Sequence, residues 1–256
     1  MNPYPLEVHD LTVCYQQQPV LYGVDWQLPA GALVAIMGPN GAGKSTLIKT
    51  IMGLITPVRG WVQLFGLPAS KALGRVGYVP QRESVDWDFP VTVWDVVMMG
   101  RYGHLGLFGR PGAHDRDIVA QSLEAVEMTL YAERQIAQLS GGQQQRVFLA
   151  RALAQQSDLY LMDEPFSGVD AATEGAILKV LKTLRSQGKT IVVVHHDLAT
   201  AQAYFDFIAF INMRLVAFGP SQAVFTPENL HRTYGGRLST LSDVAAAQAR
   251  DLHPQT

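Results

Sequence analysis

"GPNGAGKST", Gly38–Thr46, sets the reading of the whole chain. It fits G-x-x-x-x-G-K-[ST], and it follows an apolar run, "ALVAIM", and opens a helix-like run, "KSTLIKTIMG". Strand, glycine-rich loop, helix is the context this motif requires. Gly38, Pro39, Asn40, Gly41, Ala42 and Gly43 would let the backbone wrap a polyphosphate with N–H groups turned inward. The helix N-terminus adds positive potential there. Lys44 would reach the outer phosphates, and the hydroxyls at Ser45 and Thr46 close the loop, Ser45 as a Mg2+ ligand. The motif implies a P-loop nucleotide-binding protein and leaves open which kind.

Outward from the loop, residues 6–15, 20–28 and 32–37 read as short strands. The helix after the loop should end at Gly53. Strands follow at 60–66 and 75–81, and residues 82–155 read as mainly helical. "DLYLMDEP" is a buried strand, 170–188 a helix, "TIVVVHHD" a second buried strand, and 198–205 another helix. "FIAFI" and "LVAFG" suggest a hairpin. Continuous apolar strands alternating with amphipathic helices predict an α/β fold with a parallel sheet. The early strands form an N-terminal antiparallel β subdomain, and the block at about 82–155 is an inserted α-helical subdomain. The expected domain runs over 1–236. Residues 237–256 are Ala-rich and polar without a clear period, a tail expected to fray.

Two further motifs carry chemistry. "LYLMDEP" ends a buried strand on Asp163 and Glu164. In a P-loop protein the first carboxylate holds Mg2+ through water. The second can polarise the attacking water as general base. "LSGGQQQRVFLARAL", 139–153, begins with a Ser-Gly-Gly turn and runs into a long helix. Ser140, Gly141, Gly142 and Gln143 there make a second phosphate-binding turn. A chain with one P-loop has no use for it unless it serves another chain's nucleotide. That predicts a head-to-tail homodimer with ATP between the subunits.

Residues 85–106, "VDWDFPVTVWDVVMMGRYGHLG", are harder to read. Thr92 and Asp95 form a capping box, with Val91 and Val96 as hydrophobic staple, so a helix should run from near Val93 to near Gly100. Trp94, Val97 and Met98 would give it one apolar face. A metal site, a base-stacking surface and a protein-docking face are the alternatives. Asp86 and Asp88 are dispersed and His104 is distant, which argues against a cation cluster. Aromatic, Met and Arg residues, Arg101 being the arginine of this stretch, favour a protein interface.

The totals narrow the field. The chain has 256 residues, is 48% hydrophobic and 16% charged, and carries a formal net charge of −2. That balance argues against non-specific nucleic-acid binding, which runs on neutralised phosphates. Low charge and a mean hydropathy of +0.07 suggest extra buried surface or protein contact. The single cysteine, Cys14, cannot form an internal disulfide, and a reducing compartment is expected. No signal peptide is visible, and the longest apolar stretch, 207–218, contains Arg214 and is short of the roughly 20 residues of a spanning helix. A soluble protein is expected, with any membrane part supplied by a partner.

Taken together, these motifs resemble the ATP-binding subunit of ABC transporters, over roughly residues 6–225. The resemblance implies the ABC ATPase cassette, with ATP and Mg2+ as its nucleotide and metal. It implies further roles. Tyr15 would stack on adenine, and Gln81 would sense Mg2+ and the attacking water. Ser140–Gln143 would be the signature loop. Asp170, in "SGVD", would contact the dimer interface, though it is equally a helix cap. In "VVHHD" the residue before the Asp is His196, the expected γ-phosphate sensor, with His195 as packing. Residues 84–108 are similar to the corresponding loop in ATPases of manganese, zinc and chelated-iron importers, the manganese group above all. The implied partners are an integral membrane permease and, indirectly, an extracytoplasmic metal-binding protein. The implied place is peripheral, on the cytoplasmic side of a bacterial inner membrane. An iron-chelate importer subunit or a cluster-assembly ATPase remain alternatives.

Overall fold

The computed structural model describes residues 4–16, 18–82, 85, 87, 89–105 and 109–235. The tail at 237–256, and Asp86 and Asp88, lie outside the described residues. The elements in chain order are β1 (Leu6–Tyr15), β2 (Gln18–Leu28), β3 (Leu33–Met37), α1 (Lys44–Ile51), β4 (Arg59–Leu64), β5 (Leu67–Pro68), α2 (Ala69–Ala72) and β6 (Val76–Val79). Then come α3 (Val93–Met98), α4 (Ala113–Ala125), α5 (Gly141–Ala154), β7 (Leu159–Asp163), α6 (Ala171–Ser186) and β8 (Thr190–Val194). The chain closes with α7 (Leu198–Tyr204), β9 (Phe207–Asn212), β10 (Arg214–Pro220), α8 (Ser221–Val224) and α9 (Pro227–Tyr234). It divides into two compact units.

One unit comprises residues 1–28, 33–69 and 194–256. Its antiparallel sheet has the order β2-β1-β4-β5. In β1 the side chains of Leu6, Val8, Leu11 and Val13 are buried. The simple alternation breaks between Val8 and Leu11, where the register shifts and Asp10 takes φ 45°. That bulge keeps both halves of the strand facing the same core. β4 ends earlier than the sequence suggested: Phe65 and Gly66 both take positive φ and turn the chain into β5. The same unit holds β3, which pairs parallel to β9, while β9 pairs antiparallel to β10. All five residues of β3 are buried, as its apolar run demands.

The other unit comprises residues 29–32 and 70–193, with strands in the order β8-β7-β6. β6 and β7 run parallel, Val76 opposite Leu159 through Val79 opposite Met162. A side chain at Gly77 would lie 2.7 Å from the Tyr160 ring, so glycine there admits the tyrosine into the core. α3 starts at the expected capping box: Thr92 Oγ1 accepts from Asp95 N at 3.1 Å, and Asp95 Oδ2 accepts from Thr92 N at 3.1 Å. Its Val93, Val96, Val97 and Met98 are buried, each contributing about 2 kcal/mol of transfer free energy. α3 packs on α5 and α4. Arg101, just beyond it, is buried against Asp115 of α4 at 3.0 Å and also donates to the Ala154 carbonyl at 2.8 Å.

Candidate functional site

The phosphate loop leaves β3 at Gly38. A Cβ there would stand 1.9 Å from the Ile211 carbonyl oxygen, so only glycine lets β9 pass this close. Gly41 and Gly43 take φ of 80° and 94°, the left-handed region that turns successive N–H groups to one side. Gly43 is the N-cap of α1. Lys44 is 6% exposed, and its ammonium donates to the carbonyls of Gly38 at 2.8 Å and Pro39 at 2.9 Å, so the charge lies over the loop. Ala42 N donates back to Pro39 O at 3.1 Å, and Met213 N, from the β9–β10 turn, donates to Ala42 O at 3.0 Å. The hairpin thus braces the loop, a support that sequence reading missed because it joins residues far apart in the chain. Pro39 and Ser45 are half-buried, as is Thr46, while Asn40 is exposed.

In the same unit, just past Val194, two histidines follow one another, one buried and one exposed. His195 is buried, its Nε2 2.9 Å from Thr200 Oγ1 and its ring 5.1 Å from that of Phe205. Burial pushes its imidazole down to about 4, with His196 adding to the shift and Asp197 opposing it. His196 is exposed. Asp197 caps α7 through Ala199 N at 2.8 Å. Tyr15, at the end of β1, is 48% exposed.

The second unit presents the carboxylates. β7 buries Asp163 to 2% exposure, and burial followed by the Asp163 charge raises the Tyr78 phenol. Glu164 follows at φ 54° and accepts from Gln81 Nε2 at 3.4 Å. The structure therefore brings Gln81, at the exit of β6, to the end of β7. Asp170 caps α6, its Oδ1 accepting from Thr173 N at 2.7 Å, and that backbone donor holds its carboxyl below the usual range.

The Ser-Gly-Gly turn opens α5. Ser140 N donates to Gln143 Oε1 at 2.9 Å, and Ser140 Oγ accepts from Gln143 N at 3.4 Å, a reciprocal capping box. Ser140 is exposed. A Cβ at Gly141 would stand 2.9 Å from the Arg82 guanidinium carbon, so the arginine lies directly on the turn and would have to shift to admit a side chain there. Gly142 faces Thr173 of α6, whose Oγ1 would be 3.2 Å from a Cβ. Among the described residues no group of three or more His, Cys, Asp or Glu side chains could hold a metal ion. No helix among them is long and apolar enough to cross a membrane.

A phosphate loop, a strand-end carboxylate pair and a glycine turn opening a helix therefore coexist in one chain. The family described as "ABC transporter" matches residues 21–167. The chain belongs to this family. It is 56% identical to the manganese transport system ATP-binding protein MntB of Bacillus subtilis (strain 168), over 96% of this chain and 98% of that one. It is also 56% identical to the zinc transport system ATP-binding protein TroB of Treponema pallidum (strain Nichols), over 93% of this chain and 89% of that one. Among solved structures, an ATP binding subunit of an ABC transporter is similar, with a TM-score of 0.75 and 28% identity over 95% of this chain and 99% of that one. The fold is that of an ABC ATPase cassette, and the chain is a nucleotide-binding ATPase of a transport system.

Of the residues read as a docking face, this ABC ATPase buries Val97 and Met98 in its own core and leaves Trp94 half-buried. Arg101 is likewise committed to the internal pair with Asp115. Among the described residues of that stretch, Phe89, Met99 and Tyr102 are the exposed large apolar ones.

Proposed function

We propose that the chain is the ATP-hydrolysing subunit of an importer for a divalent metal cation, manganese or zinc, working with an integral membrane permease. The observation that carries this is the equal, near full-length identity to a manganese-system and a zinc-system ATPase. The permease passes the metal, and an extracytoplasmic binding protein captures it. This chain sits peripherally on the cytoplasmic side of the inner membrane and supplies work. Residues 1–236 act as one cassette, with 82–155 as its helical subdomain.

In this reading the Gly38–Thr46 backbone and Lys44 cradle the ATP phosphates, and Tyr15 stacks on the base. Ser45, Asp163 and Gln81 offer a hydroxyl, a carboxylate and an amide oxygen, hard donors that suit Mg2+. When bound, the ion neutralises charge on the phosphate oxygens. Glu164 accepts a proton from water as the water oxygen bonds to the γ-phosphorus and the bond to the β-phosphate oxygen breaks. Gln81 and His196 orient the water and γ-phosphate. Ser140–Gln143 of one protomer meets the nucleotide on its partner's P-loop, and Asp170 lies along the same interface. Positioning and fixed dipoles then lower the barrier.

Uptake of labelled Mn2+ and Zn2+ in cells lacking this chain is the test. Wild-type protein should restore uptake of one of them, and a Lys44→Ala variant should not. Uptake of both metals at the same rate with and without the chain would sink the proposal.

A further inference from the structure

One face of α5 grips the segment that carries Gln81. Gln144, Phe148, Arg151 and Gln155 are spaced i, i+4, i+7 and i+11, a single stripe of the helix and its C-cap. Each holds a point on 76–87. The Arg82 Nε and Nη2 donors both reach Gln144 Oε1 at 3.2 Å. The Trp87 ring meets Phe148 edge-on at 4.9 Å, and its Nε1 donates to the Arg82 carbonyl at 2.9 Å. Arg151 donates to Tyr78 O at 3.4 Å while lying 4.5 Å over the Phe148 ring. Gln155 Nε2 donates to Val76 O at 2.9 Å.

Arg82 stands out in this stripe. Its guanidinium rests where a Gly141 side chain would be, against the Ser140–Gln143 turn. Its neighbour Gln81 is on Glu164. Gln144 is 4% exposed and is fixed from behind by its own donation to Ile136 O at 3.2 Å, so it gives Arg82 a rigid acceptor. A continuous set of contacts thus runs from Glu164 through Gln81 and Arg82 to the start of α5.

We propose that Arg82 is a positioning residue that locks Gln81 to the α5 turn, so that the two move as one piece. The proposal rests on the function given above: there, Gln81 serves the chain's own nucleotide and the α5 turn serves its partner's. A shift at either would then be felt by the other, and hydrolysis at one site would be tied to closure at both. The physical carrier is a contiguous packed network rather than distance.

The experiment measures steady-state ATP hydrolysis and thermal melting of the full-length protein for wild type, Arg82→Ala, Arg82→Lys, Gln144→Ala and the double alanine variant. Arg82→Ala should lower kcat about tenfold, leave KM for ATP within about twofold, and leave melting unchanged because the side chain is exposed. Gln144→Ala should lower kcat similarly, and the double variant should be no slower than either single one. Arg82→Lys, which keeps one charged donor, should recover part of the loss. Additive losses, an unchanged kcat in Arg82→Ala, or a kcat that falls only with the melting temperature would overturn the lock. Absence of hydrolysis in the wild type would instead overturn the function on which it rests.

Discussion

Replacing His195 with Gln should flatten the pH dependence of stability. The folded imidazole titrates near 4, against 6.5 for an ordinary histidine, chiefly because burial penalises its charged form. The folded value is the lower one, so as pH falls the unfolded chain takes up the proton first. This residue's contribution is therefore fully present above about pH 6.5, is lost as pH drops below that, and stops changing below about pH 4. The full difference corresponds to about 3 kcal/mol. At pH 5, where an unfolded histidine is almost wholly protonated and the folded one about a tenth so, the loss relative to pH 7.5 is about 2 kcal/mol. Urea unfolding at both pH values, on wild type and on His195→Gln, isolates the effect. The other histidines and carboxylates titrate in both proteins and cancel in the difference. The amide keeps a polar partner for Thr200 but does not titrate. Wild type should lose about 2 kcal/mol more than the variant between the two pH values. Parallel losses, within about 0.5 kcal/mol, would refute the claim that His195 is held neutral by its packing.

Two other outcomes are expected. Glu164→Gln should retain ATP binding while hydrolysis falls by at least about a hundredfold, the usual scale of removing a general base, with a dimer accumulating by gel filtration in ATP; hydrolysis at the wild-type rate would remove Glu164 from the chemistry. Gly38→Ala should cost about 3 kcal/mol in urea unfolding, because its Cβ would overlap the Ile211 carbonyl. Gly41→Ala, with nothing within 4 Å, should cost only its left-handed conformation, about 1 kcal/mol. Equal costs at the two glycines would show that β9 yields to the loop.

The sequence revealed most where information is local. A buried run, a glycine loop and a helix adjoin within Leu33–Ile51, and the cap at Thr92 and Asp95 needs only neighbouring residues. The side of α3 that turns inward was not legible, because Val97 and Met98 find their partners on α5 and α4, and nothing local names those partners. Arg101, counted by residue type toward a protein interface, is instead taken up internally by Asp115 and the Ala154 carbonyl. The α5 stripe was hidden for the same reason: its polar members pair with residues 62 to 79 positions away, and the sequence shows only a Ser-Gly-Gly turn leading into a long helix. The helices α2 and α8, four residues each, are too short for a period to stand out. In α9 the signal was a cap, Thr226 followed by Pro227, rather than an apolar face.

The backbone at Glu164 follows from its neighbour. Pro165 disfavours the right-handed helical well for the residue before it. An extended Glu164 would carry β7 straight on and take the side chain with it. The left-handed well, φ 54°, turns the chain at once, and Ser167 N closes the turn on Glu164 O at 3.1 Å. That conformation costs about 1–2 kcal/mol in a residue with a Cβ. The cost is borne by the fold, not by the substrate, because buried Pro165 and Asp163 clamp both sides. The backbone itself thus holds the carboxylate on Gln81, the preorganisation that the proposed role of general base requires. It also makes the Glu164→Gln test clean. The amide keeps the same backbone turn and an oxygen that can accept from Gln81, so a loss of hydrolysis would report the missing base and not a displaced strand end.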